Sequence, residues 1–110
     1  MAIPTAFEQL IVELINRARL DPLAEAARQG FVLNAGLAAG TITVAQKQPL
    51  AFYTRLGDAA DAHSSWMLSA DVFSHTGSGG SNPGQRMLAA GYEGWTWGEN
   101  IAWSGSTGSI

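Results

Sequence analysis

Apolar side chains return every three or four positions at the start of the chain. Phe7, Leu10, Ile11, Leu14, Ile15 and Ala18 follow that rhythm, which puts them on one face of a helix over residues 6–19. Thr5, with Glu8 three residues later, has the form of a capping box at its start. Asp21 and Pro22 end this helix and open a second, with Asp21 as N-cap, Pro22 in the first helical position and Gly30 as the stop. From 31 to 52 the periodicity fades. Gly36, Gly40 and Pro49 punctuate a long ordered loop, in which Thr41, Ile42, Thr43 and Val44 have the composition of a short strand.

The helical rhythm resumes over residues 55–71, with Thr54 as its expected cap. Leu56, Ala59, Ala60, His63, Met67 and Ala70 share one face, and Trp66 lies beside it. A polar, turn-forming run over 76–82 leads to a fourth helix, capped by Ser81 or Asn82, with Pro83 first and Gly91 at its end. The period then drops to two. Trp95, Trp97, Glu99, Ile101 and Trp103 fall on one side, and Thr96, Gly98, Asn100 and Ala102 on the other, which predicts a strand over 95–103. Residues 104–110 are a Gly/Ser-rich tail.

Composition narrows the classes of function. At 110 residues the chain has the size of one domain and can bury roughly two-thirds of its unfolded surface. Charged residues make up 14%, against about 25% in an ordinary protein, and the net charge of −3 comes with no basic run. Nucleic acid is excluded as the main ligand. The absence of cysteine removes disulfides, zinc–thiolate sites and thiol nucleophiles. No apolar run approaches the ~20 residues of a membrane span. The helix carrying Glu8 and Glu13 begins directly after Thr5, so no signal-peptide core is visible in this chain.

Two residues stand out for chemistry. Alternation sets Glu99 among tryptophans and isoleucine, where an unpaired carboxylate costs several kcal/mol. It therefore calls for a cation, a metal or a polar network, or else for a plain ion pair with an arginine such as Arg86. His75 lies between a helix end and a Gly-rich turn. There an imidazole can bind metal, move a proton or hydrogen-bond a ligand, or simply cap the helix before it. His63, on the apolar stripe of the third helix, reads as a hydrogen-bonded structural histidine and stays outside the site. The tryptophans near Glu99 read as packing, with Trp97 and Trp103 also able to line an aromatic groove. No HExxH spacing, phosphate loop or GxSxG elbow is present.

The order of motifs resembles the CAP superfamily of cysteine-rich secretory, antigen-5 and pathogenesis-related proteins, in its bacterial SCP-like branch. LINRAR at 14–19, HSSWM at 63–67, FSHTG at 73–77, PGQRMLAAGY at 83–92 and GENIAWSG at 98–105 carry the resemblance over nearly the whole chain. It implies an α+β fold, an α-β-α sandwich, with residues 1–110 as a single, C-terminally incomplete domain, the N-terminal part of the family's fold. Here that sandwich is expected to be mostly helical, because the family's later strands have no counterpart before Ile110. It also implies a cleft with two histidines and two glutamates that in some members binds zinc or another divalent metal. His75 matches the first such histidine and Glu99 the first such glutamate, while the second of each would follow the GENIA segment. Asn16, Arg19 and Asn100 match structural positions that hold loops and helix ends. The implied protein is extracellular. It binds a small-molecule, lipid or protein ligand at His75 and Glu99, with a homodimer expected through an exposed sheet edge. Two rivals stand beside it: a hydrolase with His75 on the metal and Glu99 activating water, and an interaction module built on the tryptophans.

Overall fold

Caps decide where each helix begins. The structure, a computed structural model, describes residues 3–94 and 96–105. Helix α1 (Ala6–Leu20) starts at a full capping box: Thr5 Oγ1 accepts from the Glu8 amide at 3.1 Å, and Glu8 Oε1 accepts from the Thr5 amide at 2.8 Å. Helix α2 (Pro22–Gln29) starts on Asp21, which accepts from the Ala24 amide, and ends on Gly30 in the left-handed conformation at φ 79°. Helix α3 (Thr54–Ala70) follows Tyr53 without a side-chain cap, so Thr54 is its first residue and not its N-cap. Helix α4 (Pro83–Ala89) carries a second capping box, Asn82 with Gln85, each bond 2.8 Å. A 3-10 turn at Ser78–Gly80 lies between α3 and α4.

The described chain divides into two compact units, Pro4–Phe52 and the part from Tyr53 onward together with Ile3. In the first, α2 packs on α1, and Glu25 joins them. Its carboxylate accepts from Arg17 Nε at 2.7 Å and Arg17 Nη2 at 3.0 Å, and also from Arg28 and Gln29. Only Pro22 and Ala26 are buried in this unit, and Phe7 and Ile11 on the α1 stripe are 70% and 54% exposed.

Side chains of α1 also pin the loop that follows α2. Asn16 exchanges two bonds with Leu50, accepting from its amide at 2.6 Å and donating to its carbonyl at 2.8 Å. Arg19 Nε donates to the Gln48 carbonyl, and the Lys47 amide donates to the Arg19 carbonyl. Asn34, held at φ 70°, repeats the two-bond exchange with Ile42. A carboxamide offers the same donor and acceptor as a peptide unit, so each asparagine stands in for a strand partner.

This arrangement overturns two strand expectations and with them the fold class. Among the described residues there are four α-helices and no strand, so no α-β-α sandwich and no α+β sheet forms. At 41–44 the ladder-forming groups of Ile42 are taken by Asn34, which closes turns in place of a strand. Residues 96–103 are irregular, and among the described residues no backbone ladder holds them. Alternation supplies a face, but a strand also needs a neighbouring backbone to bond to. Trp95, which opened the expected strand, lies outside the described residues, as do residues 106–110 of the tail. The homodimer expected through a sheet edge loses its basis together with the sheet.

The hydrogen bond from Arg17, then that from Gln29, hold the Glu25 carboxyl down at about 2, against an ordinary 4.5. A depressed carboxyl contributes stability above its unfolded value and loses it as the pH falls through the folded one. Glu25→Gln should therefore be less stable than wild type at neutral pH, with the difference closing between pH 4.5 and about 2. Urea midpoints measured across that range test this, and a pH-independent difference would contradict it.

Candidate functional site

Two side chains, from two segments of the second unit, meet at Glu99 on a third. α4 supplies Arg86, whose Nη2 donates to Glu99 Oε2 at 2.9 Å and to Oε1 at 3.2 Å. The turn after α3 supplies His75, whose Nδ1 lies 2.7 Å from Glu99 Oε1. A carboxylate only accepts, so Nδ1 carries the proton and Nε2 of the neutral ring keeps the lone pair. Glu99 and Arg86 are 15% and 13% exposed, while His75 is 55% exposed. The pair is sheltered and the imidazole reaches solvent. Burial pushes the Glu99 carboxyl up, but the hydrogen bonds from His75 and Arg86 and the Arg86 charge outweigh it and leave the carboxyl below its ordinary value.

Arg86 also ties the turn to this centre. Its Nη1 donates to the Ser81 carbonyl at 2.8 Å, so one guanidinium spans Ser81 and Glu99. The turn is closed by the Gly77 amide on the Ser81 carbonyl and by the Thr76 amide on Ser74 Oγ. His75 thus belongs to a bonded turn and does not cap α3, whose C-cap is Asp71. Gly77 is buried, and a larger side chain would not fit there. A Cβ there would stand 2.8 Å from Arg86 Nη1 and 2.9 Å from His63 Nδ1.

Beside the Arg86–Glu99 pair is a cavity of about 240 Å³. Leu56, Ala59 and Ala60 of α3 and Pro83 and Met87 of α4 form apolar walls, and Asn100 adds a polar group. The volume is below the roughly 300 Å³ at which drug-sized ligands are usually enclosed, so the space suits a small group or a single side chain. Trp97 and Trp103 are not among the lining residues. Trp97 is half exposed with its ring over Gly84, where a Cβ would stand 2.5 Å from Nε1, and Trp103 is 71% exposed.

The family question is settled by a match to the family model described as CAP, cysteine-rich secretory protein family, over residues 12–109. The chain belongs to the CAP family. Comparison with curated proteins and with solved structures gives no match. The match spans every residue of this site in the CAP chain, and it is made without a single cysteine.

The described residues of this CAP chain do not by themselves supply a full zinc donor set. A zinc site takes at least three protein ligands, and no group of three or more His, Cys, Asp or Glu side chains able to hold a metal occurs among the described residues. Both Glu99 oxygens face the fixed positive charge of Arg86, which repels a second cation from the same carboxylate. The sequence offered Arg86 only as one possible partner of Glu99. Its position four residues after Asn82, the helix cap, was the available signal, because that spacing sets it on the helix face above the cap. The cavity residues gave none.

Gly77→Ala should destabilise the protein by about 1–3 kcal/mol, since the displaced Arg86 is bound at both ends and the helix holds His63. Chemical denaturation measures this, and a change within about 0.5 kcal/mol, the range of neutral surface substitutions, would show that the turn yields freely.

Proposed function

We propose that residues 1–110 act as an exported CAP-family binding domain whose contact point is the solvent edge of His75. The observation that carries this reading is the half-exposed imidazole: Nδ1 is committed to Glu99 and Arg86 neutralises Glu99, so the neutral ring keeps its lone pair on Nε2. Such a group accepts one hydrogen bond from a hydroxyl, an amide or an ammonium. The cavity beside Glu99 supports a small chemical group, or one side chain of a protein partner, over an enclosed lipid body. The family's secretory character supports placing the domain outside the cell.

A hydrolase is the second reading, favoured by one feature. A carboxylate that holds Nδ1–H and leaves Nε2 basic is the base-and-orienter half of a hydrolytic triad. Acting as a general base, Nε2 would take a proton from water directly.

A screen of small hydroxyl-, amide- and amine-bearing fragments, read by NMR, separates the readings. Hits should move the signals of His75 and Asn100, and His75→Ala should weaken them at least about tenfold, the ~1.4 kcal/mol of a lost hydrogen bond. No fragment should be converted to product. Hits that ignore His75→Ala would overturn the binding reading, and turnover lost in that variant would replace it with the hydrolase.

A further inference from the structure

His63 is the most buried polar side chain described, at 3% exposure, and the site as described above does not use it. It lies on α3, stacked on Trp66 with ring centroids 5.8 Å apart and planes 13° from parallel. Its Nε2 lies 2.8 Å from the carbonyl oxygen of Ser74, the residue directly before His75. A carbonyl only accepts, so Nε2 holds the proton and donates. Nδ1 is then a lone pair. It is buried without a hydrogen-bond partner. Arg86 Nη1 and His63 Nδ1 both come within 3 Å of the position a Gly77 Cβ would take, so the guanidinium lies in the neighbourhood of Nδ1 without bonding to it. A proton there would be a buried donor with no acceptor, near a fixed positive charge. The surroundings therefore select one tautomer of His63, the one that grips Ser74.

We propose that His63 is the positioning residue of this site: by donating from Nε2 to the Ser74 carbonyl it fixes the backbone before His75 and keeps His75 Nδ1 on Glu99. The inference rests on the reading of His75 as the contact point. Arg86 restrains the far side of the same turn at Ser81, so the turn is held from α3 at its start and from α4 at its end. Without the first hold, the local turn bonds alone must keep Ser74 and His75 in place, and the contact of His75 Nδ1 with Glu99 weakens. The solvated ring prefers Nε2–H.

The test reads imidazole tautomers by 15N NMR in the full 110-residue chain. In wild type, His63 should appear as Nε2–H and His75 as Nδ1–H. His63→Leu should lose the His75 Nδ1–H signature and show Nε2–H as the major form, with helix content by circular dichroism unchanged. His63→Gln, whose amide nitrogen reaches the place of Nε2, should restore it. A purely space-filling His63 predicts that both variants leave His75 as in wild type, and that result would overturn the proposal. Finding His63 as Nδ1–H in wild type overturns it without any variant, so a poorly folded His63→Leu does not protect it. A folded His63→Gln that fails to restore His75 also overturns it. Should fragments never bind at His75 while His63→Leu still shifts its tautomer, the binding reading fails and the positioning role stands. Fragment binding with an unmoved tautomer gives the reverse.

Discussion

Removing most of the water from the Glu99 carboxylate is the constraint on which the second unit depends. A carboxylate at 15% exposure needs its charge answered, and Arg86 answers it with two contacts from α4 while His75 adds a third from the turn. Each of these partners is itself tied down. Arg86 also holds the Ser81 carbonyl, and the turn carrying His75 begins at Ser74, which His63 holds from α3. One carboxylate thus draws α3, the turn, α4 and the last described segment into a single polar network, in a unit with very few buried apolar side chains. The same network sets the chemistry. A carboxylate already neutralised by a guanidinium is a poor metal ligand and a good orienter of an imidazole.

The first unit solves a different problem by similar means. Its loop from 31 to 52 has no regular structure, yet its backbone polar groups need partners. Asn16, Arg19 and Asn34 provide them, each reaching backbone that is distant in sequence. The resemblance to the CAP family placed Asn16 and Arg19 among loop-holding positions, and the bonds they make fit that role. Glu25 then locks α2 to α1 through Arg17 where apolar burial is slight.

Local signals in the sequence were legible wherever a few neighbouring residues decide the outcome. Thr5 with Glu8, Asp21 with Pro22, and Pro83 mark helix starts that the structure keeps to the residue, and of the two caps open before Pro83 it uses Asn82. Thr54 misled because a threonine before a helical pattern looks like a cap whether or not its hydroxyl is used. Strands were not legible, since alternation over 96–103 and the β-branched run at 41–44 describe only half of a pairing. Asn34 claimed Ile42 through a contact that no periodicity reveals. At the site, Arg86 could be named as one partner of Glu99 and His75 as a candidate, but not that both meet the same oxygen. The grip of His63 on Ser74 was hidden for the same reason: the chain reverses between them at Asp71, held at φ 55°.

The central claim is that Arg86 and His75 together hold Glu99 as a low-lying carboxylate, and 13C NMR titration of that carboxyl tests it most directly. In wild type Glu99 should titrate below the ordinary carboxylate range, and Arg86→Met should move it upward, because burial then acts against one hydrogen bond in place of three. A Glu99 that titrates in the ordinary range in wild type, and stays there in Arg86→Met, would contradict the account.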